Sequence, residues 1–174
     1  MPFGMNGWGA LSMPQKIAIF ATLATSAVLL AVSTVGQMVP GSKYALAPAA
    51  LPIEILAILV IVLAAAFRPR EEPGFVANGI GCMKNGLTYA IPAAFLFWLL
   101  VRRGAILYPK LIGAAIGGLG GLIGLTVLEI NCPNLNVFHI LVWHWGVVLV
   151  SAAAGTLLGA AAEYIERLRS QRAS

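Results

Sequence analysis

The sequence predicts an all-α integral membrane protein, a bundle of about five transmembrane helices joined by short loops. Three observations carry this. The 174-residue chain is 60% hydrophobic and only 10% charged, with a mean hydropathy of +0.91; a soluble domain carries about 25% charged residues. Five apolar stretches can each reach the roughly 20 residues that cross about 30 Å of hydrocarbon. Proline, glycine and most of the charged residues fall in the breaks between them.

Residues 1–16 have no basic stretch ahead of an apolar run. They read as an extracytoplasmic segment, not a signal peptide. The first span runs from about Ile17 to Val39 and the second from about Ala49 to Phe67. The third ends at Val101, before Arg102, and starts near Leu87, or earlier if NGIGCMKNG is helical. Only with that extension does it cross, and Cys82 then lies one or two turns inside. The fourth runs from about Leu111 to Ile130 and the fifth from about Val137 to Ala162. Residues 17–162 thus form one transmembrane domain, followed by a basic tail, 163–174.

Lysine and arginine favour the cytoplasmic side of a membrane. Lys43, Arg102, Arg103, Lys110, Arg167, Arg169 and Arg172 fall on one side; Lys16, Arg68, Arg70 and Lys84 fall on the other. Seven against four places the C-terminus in the cytoplasm and the N-terminus outside. Glu71 and Glu72 offset Arg68 and Arg70 locally. The net charge of +5 therefore reads as orientation and headgroup contact, and no nucleic-acid partner is expected. The six acids are all glutamate. The chain has no phosphate loop, dinucleotide fingerprint or nucleophilic triad, so no enzyme is expected.

Helix four carries Gly113, Gly117 and Gly121 at four-residue spacing, and helix five carries Gly155 and Gly159. Small residues at this interval let helix backbones approach closely. The rows predict packing of helix four on helix five, or association with a membrane partner or a second copy.

Polar groups at membrane depth are costly and invite a functional reading. Glu54 and Glu129 fit solvated helix ends. His139 and His144 are five apart, a rotation of about 500° or 140° net, so the rings are expected on different faces. That spacing argues against both binding one metal; no metal and no cofactor are expected. The two histidines, with Glu129 and Trp143, read as a polar edge holding helix five, His139 stacking on Trp143 four positions away. Cys82 and Cys132 fall on the same outer side, each at or near a helix start, where thiol reactivity rises. The pair could form a disulfide, take a soft metal ion, or be inert.

The segments RRGA, VLEINCPNLN and HILVWHWGV, with GWGALSMPQK, QMVPGSKYALAP and FRPREEPGFVANGIGCMKNGL upstream, resemble the NrsF family over nearly the whole chain. These are bacterial inner-membrane negative regulators of extracytoplasmic-function (ECF) sigma factors. The resemblance implies an ECF sigma factor as partner and a sensing role for the cysteine pair. Family members have six spans and a cytoplasmic N-terminal segment that holds the sigma factor. This chain reads as starting after that first span. Sigma contact would then fall to RRGAILYPK, the first inner loop or the basic tail. A non-catalytic subunit of a membrane complex is the alternative reading.

Overall fold

The computed structural model describes residues 6–38, 51–104 and 106–173. Lys43 and the rest of the first linker lie outside the described residues, as does the side chain of Glu54. The described chain is helical: α1 (Asn6–Ala10), α2 (Met13–Gln37), α3 (Leu51–Ala66), α4 (Phe75–Val101), α5 (Pro109–Asn131), α6 (Val137–His139) and α7 (Trp145–Ala173), with a π-helical turn at Ile140–His144 between the last two. Four helical runs among the described residues are long and apolar enough to cross a membrane: Met13–Gly36, Phe75–Val101, Pro109–Asn131 and Val137–Arg172. The fifth expected span is α3, of 16 residues.

Local chemistry sets these boundaries. Gln15, in the first turn of α2, accepts the Ser12 N–H at 2.9 Å. Its amide also donates to the Ala66 carbonyl at 2.8 Å, tying the start of α2 to the end of α3. α4 begins after Gly74, whose φ of +76° suits glycine, and runs unbroken through NGIGCMKNG. Cys82 therefore sits two turns inside a 27-residue helix. α7 continues past Ala162 to Ala173. There Glu163 pairs with Lys110 at 3.5 Å and with Arg167, joining the start of α5 to the end of the bundle.

Leucine, isoleucine, phenylalanine and tryptophan side chains fill the core, among them Leu63, Phe67, Leu125, Ile140 and Trp145, while many other large apolar side chains point outward. Val28, Val32, Val35, Ile91, Leu96, Leu100, Leu157 and Leu158 are exposed, as lipid-facing positions are. The central helix is α5, buried continuously from Ala115 to Leu122. Five of its six glycines, all but Gly118, have no room for a side chain. A methyl on Gly113 would strike the Gly155 carbonyl, one on Gly117 the Ser151 carbonyl, and one on Gly121 the Val148 backbone at 2.6 Å. Conversely, Gly155 abuts the Gly113 carbonyl and Gly159 the Pro109 carbonyl. A second row, Gly120 and Gly124, meets Ala90 and Gly86 of α4 in the same way. α5 is thus held from both sides by backbone-to-backbone contact, the tightest approach that dispersion forces can use in lipid.

Gly117→Val should destabilise the protein by at least about 2 kcal/mol, because the obstacle is backbone. Gly81→Ala meets nothing within 4 Å and should be neutral or slightly stabilising. Equilibrium unfolding in mixed micelles measures both; equal stabilities would contradict the α5–α7 contact.

Candidate functional site

The start of α2, the end of α3, the start of α4, the end of α5 and α6 meet at one end of the bundle. The connecting segments are pinned to each other. Arg68 and Asn136 form an isolated parallel β-bridge. The Asn136 side chain accepts the Arg70 and Phe138 N–H groups at 3.3 and 3.2 Å. It donates to the Arg70 carbonyl at 2.9 Å and to Glu72 at 3.4 Å. One buried asparagine thus fixes the α3–α4 connection against the NCPNLN turn. α1 lies on the same turn, where a methyl on Gly7 would meet the Cys132 and Glu129 carbonyls at 2.5 and 2.6 Å.

Two thiols and two imidazoles converge here. Cys82 and Cys132, 50 residues apart in the chain, hold their sulfurs 3.6 Å apart. His139 Nε2 lies 3.4 Å from the Cys82 sulfur and 3.9 Å from that of Cys132. His144 is fully buried, and its ring meets that of His139 edge-on, centroids 5.3 Å apart. One ligand atom from each of the four residues lies within 4.8 Å of all the others. Each imidazole turns its other nitrogen to a carboxylate. His139 Nδ1 is 2.9 and 3.1 Å from the two Glu72 oxygens, and His144 Nδ1 is 2.9 Å from Glu129. A carboxylate is an acceptor, so Nδ1 carries the proton in both rings. The donor types and separations could hold a metal ion; the same sulfurs are close enough to be oxidised together.

The five-residue spacing predicts histidines on different faces, and here the structure differs. Ile140–His144 is a π turn: the Trp145 N–H reaches the Ile140 carbonyl, five residues back. Winding i→i+5 puts an extra residue into the turn, so His144 returns to nearly the face of His139. Trp143 is likewise displaced. Its ring tilts against Phe75, centroids 5.7 Å apart, and Phe75 also meets His139 edge-on; the expected His139–Trp143 stack is replaced by this three-ring arrangement. The Trp143 indole occupies the space that a side chain on Gly79 would fill. Glu129 is a buried partner of His144, not a solvated helix end.

Cys82 lies two turns inside α4, as its sequence position predicts, but Cys132 differs from the helix-start picture. Cys132 closes α5, donating its N–H to the Leu128 carbonyl at 2.7 Å. A helix C-terminus disfavours an anion. The Cys132 thiol is nonetheless held well below the usual thiol range, first by the hydrogen bond from the Cys82 thiol, and further by the His139 and His144 imidazoles, which together outweigh burial. Glu72, Asn136 and Gly79 are parts of the site that the sequence reading passes over. Glu72 reads there only as a charge offsetting nearby arginines, and no periodicity marks the other two.

Fold and site together define a polytopic helical membrane protein with a thiol–imidazole cluster at one end of its bundle. The family model NrsF, described as "Negative regulator of sigma F", matches residues 5–162. The chain belongs to that family. No curated protein and no solved structure matches it.

A thiol whose pKa lies well below neutral is fully ionised from pH 6 to 8, so its alkylation rate is flat there. An ordinary thiol speeds up roughly 80-fold over the same interval. In chelator-treated Cys82→Ser protein the serine hydroxyl still donates to Cys132, and the Cys132 alkylation rate should change less than about twofold. A steep rise measured by mass spectrometry would contradict the site's electrostatics.

Proposed function

We propose that this chain is an inner-membrane regulator that restrains an ECF sigma factor and takes its input at Cys82 and Cys132, on the outer side of the membrane. The family match over residues 5–162 carries the regulatory half of this reading. The 3.6 Å approach of two cysteines from different helices supports the sensing half. One sulfur is on α4 and the other closes α5, and these two helices share the Gly86–Gly124 contact. A change of state at the sulfurs therefore acts on the spacing of two packed helices that run to the opposite, cytoplasmic end.

The chemistry is simple. Peroxide accepts two electrons from the pair. The Cys132 thiolate attacks one oxygen and expels the other as hydroxide, which takes up the proton Cys132 had lost to give water and a sulfenic acid. The Cys82 sulfur then attacks the sulfenic sulfur, and the hydroxyl leaves with the Cys82 proton as the second water, forming the disulfide. Atoms balance as two thiols plus hydrogen peroxide giving one disulfide and two waters. Seven of the eleven basic residues mark the proposed cytoplasmic side, which leaves the thiols facing the oxidising compartment.

In a reporter strain that co-produces the chain with an ECF sigma factor of its own genome, the wild type should repress and release on peroxide challenge. The Cys82→Ser/Cys132→Ser double variant should repress equally and fail to release. Release that survives the double substitution would contradict thiol input, and absence of repression by either form would contradict the regulatory reading. A membrane-impermeant maleimide should label reduced Cys82 or Cys132 in spheroplasts; protection of both until lysis would reverse the orientation.

A further inference from the structure

We infer that Cys82, Cys132, His139 and His144 form a closed tetrahedral Cys2His2 site for one zinc ion, oriented by Glu72 and Glu129. The inference shares its two sulfurs with the regulatory reading but rests on separate observations.

The first is the edge lengths. Zinc–sulfur bonds of about 2.3 Å and zinc–nitrogen bonds of about 2.0–2.1 Å give tetrahedral edges of ~3.8 Å between sulfurs and ~3.6 Å between sulfur and nitrogen. The site has 3.6 Å between the sulfurs and 3.4 and 3.9 Å from them to His139 Nε2. A single ion therefore fits among these three atoms with adjustments of a few tenths of an ångström, and a ligand atom of His144 lies within 4.8 Å of each. The second is an orphan. His144 Nε2 is buried with no hydrogen-bond partner among the described residues, which a protein ordinarily avoids. With Nδ1 turned to Glu129, Nε2 is the ring nitrogen left to bind an ion. The third is the pair of carboxylates. Histidines that bind zinc commonly donate their remaining N–H to a carboxylate, which fixes the tautomer and raises ligand basicity. Both imidazoles here do so.

The ligand types select the ion. Two thiolates and two imidazoles at tetrahedral separations suit zinc, whereas magnesium and calcium need oxygen. Four protein ligands leave no open position for a substrate, so the site is structural or regulatory. It would join the α4 interior, the α5 terminus and the π turn through one atom. The π turn then has a purpose: a regular helix through Ile140–His144 would carry His144 out of ligand reach.

The test is titration of the purified full chain in detergent after chelation. It should take up one equivalent of zinc per chain. Cobalt should give the intense visible bands of a tetrahedral ion with thiolate charge transfer, and zinc should displace it. Cys82→Ser, Cys132→Ser and His144→Ala should each lose the tetrahedral spectrum. Because His144→Ala disturbs a buried pair, Glu72→Ala provides a milder variant at the bundle edge. It should keep the stoichiometry and weaken zinc about 10–100-fold, with Glu72→Gln closer to wild type. No stoichiometric uptake by folded wild-type protein, a weak octahedral cobalt spectrum, or affinity unchanged in all these variants would overturn the inference. Failed zinc uptake beside an intact cysteine-dependent reporter response removes the metal site and leaves the regulatory reading. Zinc uptake beside a cysteine-independent response does the reverse.

Discussion

The site depends on one backbone irregularity, the π turn at Ile140–His144. A helix with i→i+4 bonding would set His139 and His144 about 140° apart, one against the α4–α5 seam and the other away from it. Widening a single turn brings both rings to that seam. There each imidazole joins a carboxylate on one nitrogen and faces sulfur on the other side of the ring. π turns interrupt i→i+4 bonding and persist where surrounding contacts repay them. Here the repayment is visible: two His–carboxylate pairs, the Phe75 ring contacts and the fit of Trp143 over Gly79.

The rest of the fold supplies a rigid frame for that turn. α5 lies in the middle, with glycine rows that let α4 and α7 come to backbone contact on opposite sides. Such contact fixes both separation and register, since at Gly113, Gly117 and Gly124 backbone meets backbone. Cys82 and Glu129 consequently reach the site from helices that cannot slide without collision. Asn136 does for the connections what glycine does for the helices, holding the α3–α4 segment and Glu72 against the final turn.

Much of this was legible from residue order. Hydropathy located the helical runs, and glycine spacing marked a close-packing surface on the central helix. Charge placement put Cys82 and Cys132 at one end. Hydropathy is blind to hydrogen-bond register, however. Val137–Ala162 reads as uninterrupted helix because Ile140, Leu141, Val142 and Trp143 are apolar in any winding. A regular winding therefore predicts the two histidines on separate faces. Glu72 was hidden for a different reason: it joins His139 across 67 residues of chain, and its local neighbours, two arginines and a second glutamate, suggested a solvated loop. α7 runs on past the apolar stretch to Ala173 because charged residues continue a helix as readily as apolar ones.

The most direct measurement of the site is X-ray absorption at the zinc edge on zinc-loaded protein in its native lipid or detergent. The spectrum should show a first shell of two sulfurs at about 2.3 Å and two nitrogens at about 2.0–2.1 Å, with the outer-shell scattering of two imidazole rings. A shell of light atoms alone, or sulfur without imidazole scattering, would show that the π turn does not bring His139 and His144 to the thiols.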